Sequence, residues 1–412
     1  MKRKTTILLL LICILISSSY SSSAFSVKKI TTTNLSTSYR AVIIGISDYP
    51  GTSKDLITPV KNALAIENCL ERNSKSYNIK RLTDSDATLN NIRNKLDWLK
   101  NNADDDDVSI FYYCGHGTQR DTVDYKREGD TNDECLSLYD GVMHDDELID
   151  RILEIKGYVF VILDCCKSAG FEHDLDYKIT GPLVSQSKIF LLTAFGENQN
   201  LFEHKLLGYS LLTFHLIGGF STDPNHDEKI TIDEIYSIAR EIFESGKKAL
   251  GVGYEGGINI YPPKGHSRYY EFSYKAIING FSNQPPWIEE FKIPDESQQK
   301  CEIELKLRDD NDDKIHVFVN WDDGSGGWEG PYHNYETIKM SHNYQENKKY
   351  RISIVLKDSK GAVSKWITKE VSIKKNRAFA SHDVFDFILS KILNYNLSKL
   401  FYQIQNFKLY KG

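Results

Sequence analysis

Four continuous apolar segments, separated by segments of helical pattern, constrain the fold of this 412-residue chain more than any other feature. They are YRAVIIGISDY (39–49), VSIFYYC (108–114), YVFVILDCC (158–166) and KIFLLTAF (188–195). Apolar residues recur at helical spacing between them, for example over 89–99. Continuous apolar strands that alternate with amphipathic helices are typical of a mostly parallel sheet with helices on both faces. The sequence therefore predicts a three-layer α/β/α domain over 38–264.

The pattern changes after residue 284. Short strands with alternating polar and apolar residues follow one another, at 300–308, 314–321, 349–358 and 365–373. Such strands, separated by glycine-containing turns, predict an all-β, Ig-like sandwich over 284–374. Polar residues interrupt the tail 375–412 too often for a transmembrane helix. We expect the tail to be amphipathic, and either to pack on its own protein or to lie on a membrane surface.

The first 24 residues have the three parts of a secretory signal. A basic MKRK segment precedes ten apolar residues (7–16) and a small, polar segment that ends at Ala24. Ten apolar residues are too few to span a bilayer. We predict a signal peptide over 1–24, and a secreted or cell-surface protein. An uncleaved anchor is the alternative.

Charge and cysteine content exclude several classes. The net charge of −6 argues against nucleic-acid binding, which needs a basic surface. Beyond the signal segment, six cysteines are scattered over more than 200 residues, which does not suit a small disulfide scaffold. No CxxC pair predicts a structural zinc site. These cysteines therefore call for another explanation.

His116 and Cys166 each follow a buried strand of the predicted sheet. His116 lies in the turn GHGT (115–118), and Cys166 ends the segment FVILDCC. Neighbouring parallel strands bring both side chains to one edge of the sheet, and a thiol needs a neighbouring base to become a thiolate near neutral pH. We predict that the two residues form a catalytic pair. Cys165 points to the opposite face of the strand, which predicts a packing role.

These segments resemble a known family. FYYCGHGT (111–118) and DCCKSAG (164–170) resemble the histidine and cysteine motifs of metacaspases and caspase-like cysteine peptidases, over roughly 38–262. The resemblance implies a caspase-like sheet and peptide hydrolysis through an acyl-enzyme. Cys166 would be the nucleophile and His116 the base, and the N–H groups of Gly117 and Cys166 would bind the oxyanion. The alternative is a non-catalytic surface binding or adhesion protein with a relic domain.

The same resemblance implies cleavage after Arg or Lys, with acidic residues in the substrate pocket. Asp164 matches one of these acids. Asn62 matches the position beside the other, but Ala63 stands where that acid is expected. Asp48, after the first strand, is the candidate to compensate. Self-cleavage is expected between residues 167 and 188, with Lys178 and Lys188 as candidate sites.

Acidic residues after the histidine motif resemble the calcium-binding segment of metacaspases. The expected ligands are Asp133, Asp145, Asp146 and Asp174. Hard oxygen ligands from separate loops suit Ca²⁺. The alternative is that Asp145 and Asp146 cap a helix, where carboxylates are favoured in any case. A second acidic loop (223–234) matches a calcium-binding EF loop only in part, because Glu228 replaces the required glycine. We expect that loop to cap a helix.

The C-terminal segment resembles a PKD domain. The matching residues are Trp321, Asp323, Gly324, His342, Tyr344, Asp358 and Gly361. The resemblance implies an extracellular spacer or binding module, in which these residues are structural. Together with the signal segment it implies an exported or surface-associated protein, with a peptide or protein as substrate.

Overall fold

The computed structural model describes most of the chain beyond the N-terminal segment. Described are residues 37–72, 75–121, 132–179, 188–193, 203–250, 257–280, 282–374 and 389–393, with Leu397 and Lys399. The signal peptide predicted at 1–24 and most of the tail therefore lie outside the described residues.

The four predicted strands and the main predicted helices are present. In chain order the elements up to residue 279 are β1 (Tyr39–Gly45), α1 (Pro59–Glu71), β2 (Tyr77–Thr83), α2 (Leu89–Asn102), β3 (Val108–Cys114), β4 (Gly117–Asp121), β5 (Asn132–Ser137), β6 (Val142–His144), α3 (Asp145–Leu153), β7 (Tyr158–Asp164), α4 (Phe171–Ile179), β8 (Lys188–Thr193), β9 (Glu203–His204), β10 (Tyr209–Ser210), α5 (Leu211–Phe220), β11 (Ile230–Thr231), α6 (Ile232–Leu250), β12 (Asn259–Tyr261), α7 (Ser267–Phe272) and β13 (Ile277–Asn279).

Six strands form the central sheet in the order β12-β8-β7-β3-β1-β2. All neighbours are parallel except β12, which runs antiparallel to β8. Helices α1, α5 and α6 contribute Ala63, Leu216 and Ile235 to one buried face. Helices α2 and α3 contribute Leu96 and Ile149 to the other buried face. Because both faces are covered, the strands are apolar throughout, and the predicted α/β/α fold is confirmed.

The carboxyl ends of three strands finish at the same level. Gly45, Cys114 and Asp164 are aligned in the register of β1, β3 and β7. The segments that follow these strands therefore leave the sheet at one edge, where sites form in folds of this kind. Strands β4, β5 and β6 form a small antiparallel sheet directly after β3. The sequence patterns did not predict this small sheet.

Residues 287–373 form the predicted β-sandwich. Its strands are β14 (Trp287–Lys292), β15 (Glu296–Ser297), β16 (Lys300–Arg308), β17 (Ile315–Asn320), β18 (Gly326–Tyr332), β19 (Thr337–Asn343), β20 (Lys349–Asp358) and β21 (Ile367–Ile373). They form two sheets, ordered β14-β16-β19 and β15-β21-β20-β17-β18. The rings of Trp321 and His342 stack with centroids 5.2 Å apart, and the Tyr344 hydroxyl donates to the Trp321 carbonyl at 3.0 Å. These residues are structural, as expected.

The sandwich packs directly on the α/β domain, and the described residues of both domains belong to one compact unit. Phe214 of α5 and Ile242 of α6 share an apolar cluster with Phe318 and Trp366 of the sandwich. The Trp328 indole N–H donates to the Leu207 carbonyl at 3.0 Å. The two domains are therefore joined by an apolar interface as well as by the chain.

The described part of the tail, 389–393, is helical and exposed. In the described part of the chain, no helix combines the length and apolar character needed to cross a bilayer. The two expectations for the tail, packing on its own protein or lying on a membrane surface, both stay predictions.

Candidate active site

The backbone of His116 is held from two sides by tyrosines. Its N–H donates to the Tyr49 hydroxyl at 2.8 Å, and its carbonyl accepts from the Tyr113 hydroxyl at 2.8 Å. The rings of Tyr49 and His116 also pack together, with centroids 4.9 Å apart. Burial raises the pKa of Tyr49 to about 12, so this phenol stays neutral and can keep both contacts at physiological pH. The imidazole is therefore carried on a well-fixed turn.

The imidazole itself contacts a backbone carbonyl that follows β1. Nε2 of His116 lies 2.8 Å from the carbonyl oxygen of Lys54. A carbonyl oxygen can only accept a hydrogen bond, so Nε2 carries the proton in the neutral ring. The lone pair then lies on Nδ1. In a catalytic histidine, the group that binds one ring nitrogen sets the tautomer and leaves the other nitrogen to act as the base.

Gly117 brings the histidine turn against the cysteine turn. A Cβ atom on Gly117 would overlap the carbonyl oxygen of Cys166, and it would lie 2.9 Å from the carbonyl carbon and 3.3 Å from the nitrogen of Cys166. Only glycine permits this approach of the two backbones. The structure thus places Gly117 in backbone contact with Cys166, and His116 is the residue directly before Gly117.

The two adjacent cysteines lie in different surroundings. Cys165 is fully buried, in the same apolar cluster as Val42 and Leu163. Burial raises the pKa of its thiol well above the usual value, which suits a packing role. Cys166 is partly exposed in the turn after β7. The six cysteines that the structure describes form no disulfide.

Asp164 is fully buried on the face opposite Cys165. Its Oδ2 accepts hydrogen bonds from the hydroxyls of Ser210 at 2.5 Å and Thr213 at 2.6 Å. Its Oδ1 is buried and receives no bond from an N–H or O–H group among the described residues. Burial raises the pKa of Asp164, although the two hydroxyls oppose the shift. A buried carboxyl with one oxygen that lacks an N–H or O–H donor among the described residues suits a donor supplied by a ligand.

The helix α1 forms the wall beside Asp164. The Asn62 side chain donates to the Cys114 thiol at 3.4 Å and accepts from the Ser210 N–H at 3.3 Å. Ala63 is fully buried against β1, where a Cβ on Gly45 would lie 2.8 Å from its own Cβ. An acidic side chain at position 63 would therefore begin from a fully buried position, where an unpaired charge is costly. Asp48 is exposed, and the hydrogen bonds to Asp164 come from other residues.

The acidic residues expected to bind calcium have protein partners. Asp145 is fully buried, and its two oxygens accept from the backbone N–H groups of Glu134 at 3.2 Å and Asp146 at 2.8 Å. The Asp146 carboxylate pairs with the Lys178 ammonium at 2.9 Å. Asp145 begins α3, so the helix-capping alternative has support. The side chain of Asp174 lies outside the described residues.

Asp133, the remaining expected ligand, has nitrogen and sulfur neighbours. Its Oδ2 lies 2.6 Å from Nδ1 of His144, and the Cys135 thiol lies 3.5 Å from the same nitrogen. These atoms do not form the all-oxygen cage that calcium prefers. Asp133, Asp145 and Asp146 are therefore engaged by protein groups in this structure, and calcium binding stays a prediction.

The second acidic loop caps a helix. The Thr231 N–H donates to the Glu234 carboxylate at 2.8 Å, and the Glu234 N–H donates back to the Thr231 hydroxyl at 3.3 Å. This reciprocal pair is a capping box at the start of α6. The loop therefore has the expected capping role.

Several site residues were missed in the sequence. The Lys54 carbonyl has no side-chain signature, because any residue could supply it. Ser210 and Thr213 looked like ordinary residues at the start of a helix. Tyr49 lies four residues after the end of β1, and no pattern in the sequence distinguishes it from other aromatic residues.

Comparison with known proteins agrees with this geometry. The family model "Caspase domain" matches residues 38–286. Metacaspase-4 of Arabidopsis thaliana is 36% identical over 142 residues, which cover 32% of this chain and 34% of that protein. Metacaspase-1 of Plasmodium falciparum is 30% identical over 157 residues, which cover 34% of this chain and 25% of that protein. The chain thus spans about a third or less of the length of these curated relatives.

Solved structures match each domain separately. The match with protein GSU0716 of Geobacter sulfurreducens has a TM-score of 0.40 and 16% identity, and it covers 54% of this chain and 92% of that chain. The match with the Drosophila initiator caspase Dronc has a TM-score of 0.35 and 10% identity, and it covers 54% of this chain and 78% of that chain. The PKD domain of an M14-like peptidase from a Thermoplasmatales archaeon (0.22, 29%) covers 23% and 100%. Because the family model matches more than half of its residues, this chain belongs to the caspase-domain family of cysteine peptidases.

Proposed function

We propose that the protein is a cysteine endopeptidase in which Cys166 is the nucleophile and His116 the base. The observation that supports this most directly is the contact between His116 Nε2 and the Lys54 carbonyl, which leaves Nδ1 to take the thiol proton. The thiolate then attacks the peptide carbonyl, and His116 returns the proton to the departing amine. Water hydrolyses the resulting thioester.

The oxyanion is proposed to bind the backbone N–H groups of Gly117 and Cys166. The close approach of these two residues supports this assignment, because oxyanion donors must be fixed before negative charge develops. Removing one such donor typically costs about 10²–10³ in turnover.

We propose cleavage after Arg or Lys. The support is Asp164, a buried carboxyl whose Oδ1 has no N–H or O–H donor among the described residues. A guanidinium or ammonium group would supply that donor and the compensating charge. Asp48 is proposed to act only as a peripheral charge at the pocket, since it is exposed.

A panel of fluorogenic peptides tests both proposals. The panel varies the residue before the cut among Arg, Lys, Asp and Leu, and it compares the wild type with Cys166→Ala and Cys165→Ala. We expect turnover of the Arg and Lys peptides, its loss in Cys166→Ala and its retention in Cys165→Ala. Equal turnover by Cys166→Ala would contradict the mechanism. Absence of labelling of Cys166 by an electrophilic peptide probe would favour the adhesion alternative.

Calcium activation is proposed from the resemblance of the acidic segment alone. It requires Asp146 to exchange its partner Lys178 for the ion, because the two side chains are now paired. The test is a titration of activity with Ca²⁺ after chelator treatment. A flat response would exclude the proposal.

Self-cleavage between residues 167 and 188 is proposed to need a rearrangement. Lys178 pairs with Asp146 and with Asp150 at 2.7 Å, and the Lys188 ammonium donates to the Asp105 carbonyl at 2.7 Å. Mass spectrometry of the protein before and after incubation would identify the cut, with Cys166→Ala as the control.

Export and surface association are also proposed, on the pattern of residues 1–24 and the PKD-like C-terminal segment. N-terminal sequencing of protein from the culture medium should begin near Phe25. Intact protein found only inside cells would contradict this proposal.

A further inference from the structure

Asp133, Cys135 and His144 bring three different ligand atoms together beside the catalytic edge. The carboxylate oxygen, the thiol sulfur and the imidazole nitrogen all lie within 4.8 Å of one another. Among the described residues, these three form the group of His, Cys and acidic side chains whose ligand atoms lie close enough together to hold one metal ion. Cys135 and His144 have no role in the proposed peptide hydrolysis, and Asp133 enters it only as an expected calcium ligand.

The small antiparallel sheet explains why these side chains meet. Asp133 and Cys135 are two residues apart on β5, so their side chains point to the same face. His144 on β6 is paired directly with Cys135. Directly opposite residues in an antiparallel pair share a face and have close Cβ atoms. The backbone therefore builds the cluster from two hydrogen-bonded strands.

The spacing suits a tetrahedral metal ion. Zinc bonds of about 2.3 Å to sulfur and about 2.0 Å to nitrogen place two tetrahedral ligands about 3.5 Å apart. The Cys135 sulfur and the His144 Nδ1 lie 3.5 Å apart. The Asp133 Oδ2 lies closer to Nδ1, at 2.6 Å, where it shares a proton with the ring. The second oxygen of Asp133 is buried and has no partner in the described residues.

The donor set distinguishes this cluster from a catalytic triad and from a calcium site. In a triad, the acid and the nucleophile contact different ring nitrogens of the histidine. Here both contact Nδ1, and the Cys135 thiol is fully buried. Thiolate and imidazole ligands select zinc-like ions, whereas calcium takes oxygen ligands.

We propose that Asp133, Cys135 and His144 form a binding site for Zn²⁺ or a similar borderline-soft divalent ion. Binding releases the thiol proton of Cys135 to solvent, and the proton between Asp133 and His144 Nδ1 moves to Nε2, so that Nδ1 of the neutral ring is free to bind the ion. The three side chains occupy three corners of a tetrahedron, and a water molecule completes the fourth.

The site would act on the catalytic histidine through the backbone. Cys135 is paired with Thr118 on β4, and the Ser137 N–H donates to the His116 carbonyl at 2.9 Å. An ion that ties β5 to β6 therefore stabilises the strands that hold His116. We expect zinc to raise the thermal stability of the protein.

Cobalt substitution tests the site without any use of activity. The experiment uses full-length Cys166→Ala protein, because this change removes the reactive thiol as a competing ligand. After chelator treatment the protein is titrated with Co²⁺. We expect one equivalent to produce a thiolate-to-cobalt charge-transfer band with tetrahedral visible bands, and one equivalent of Zn²⁺ to abolish both.

Matched second-site variants assign the band. Loss of a residue that only orients a metal ligand weakens metal binding roughly 10–100-fold. We expect a larger loss of zinc affinity in Cys135→Ser and His144→Gln, each made in the Cys166→Ala protein, because both residues are proposed ligands. Cys301→Ser, a buried cysteine in the sandwich, should leave the band unchanged. Because His144 is partly exposed, its variant tests the site even where Cys135→Ser is poorly folded. Absence of the band in Cys166→Ala, or its persistence in His144→Gln, would overturn the proposal.

Discussion

Gly117 and Cys166 are in backbone contact at the edge of the central sheet, so that a Cβ at position 117 would overlap the Cys166 carbonyl oxygen. This contact links the two turns that follow β3 and β7. Both predicted oxyanion donors and both reactive side chains belong to these two turns. Small changes at position 117 therefore test the whole arrangement.

Gly117→Ala is expected to lower kcat by at least about 100-fold, since the added methyl group must push the two turns apart and misalign the oxyanion donors. The measurement is steady-state hydrolysis of an Arg peptide, with thermal unfolding as a check of folding. Gly257→Ala is the matched control, because a Cβ there meets no atom of the described residues within 4 Å. Equal activity of Gly117→Ala and the wild type would contradict the assignment.

Asp164→Asn is expected to reduce kcat/KM for Arg and Lys peptides by at least about 30-fold. Loss of one partner from a buried charge pair costs about 2 kcal/mol or more. A Leu peptide should be affected much less, because it has no charge to pair with position 164. A similar loss on both peptides would show that Asp164 supports the fold rather than specificity.

The stability of the protein should fall as Asp164 ionises. Burial raises its folded pKa above the ordinary value of 3.8, so the unfolded chain releases this proton at lower pH than the folded chain does. The contribution of the protonated group is complete below pH 3.8 and is lost as the pH rises through the folded pKa. Urea unfolding at a series of pH values measures the free energy of unfolding of Cys166→Ala and of the Cys166→Ala/Asp164→Asn double variant. We expect this loss of stability with rising pH in the first protein and not in the second. The same dependence of the free energy of unfolding on pH in both proteins would disprove the prediction.

Lys178→Met is expected to lower the Ca²⁺ concentration for half-maximal activity about fivefold. The reason is that the Lys178 ammonium competes with the ion for carboxylate oxygens, and such an ion pair contributes ~1 kcal/mol. The lysine pairs with both Asp146 and Asp150. The measurement is a calcium titration of peptide hydrolysis. Lys156→Met, at an exposed position near the end of α3, is the control. An unchanged Ca²⁺ concentration for half-maximal activity would show that Lys178 does not compete with calcium.

Trp366→Ala is expected to destabilise the protein by about 3–5 kcal/mol, the usual cost of removing a buried tryptophan. The indole is 6% exposed and packs between Phe214 and Phe318 at the domain interface. Trp287→Ala, where the side chain is 40% exposed, should change the free energy of unfolding by roughly 0.5 kcal/mol or less. Denaturant unfolding followed by circular dichroism would measure both. Similar effects of the two changes would argue against a tight interface.

The sheet and the sandwich were predictable because their patterns are local. Buried strands such as Val108–Cys114 are apolar at nearly every position, and Lys300–Arg308 alternates along its length. The positions of His116 and Cys166 after neighbouring strands also predicted that they meet at one edge. The Cys165 packing prediction followed from alternation alone, and its complete burial agrees with it.

Contacts between distant segments were not predictable in the same way. The Lys54 carbonyl reaches His116 across 62 residues, and any residue type at position 54 would provide it. Ser210 and Thr213 approach Asp164 only because α5 packs beneath the sheet edge. Position 63 could be recognised as lacking an acid, but its complete burial could be seen only in the structure.

Three consecutive residues at the end of β7 meet three separate environments. Asp164 is enclosed by hydroxyls, Cys165 by aliphatic side chains, and Cys166 stands at the open turn. A mutation at one of these positions therefore tests the proposed selectivity, the packing or the proposed chemistry without necessarily altering the other two. Point changes within two codons of the proposed nucleophile would thus separate the choice of substrate from the reaction itself.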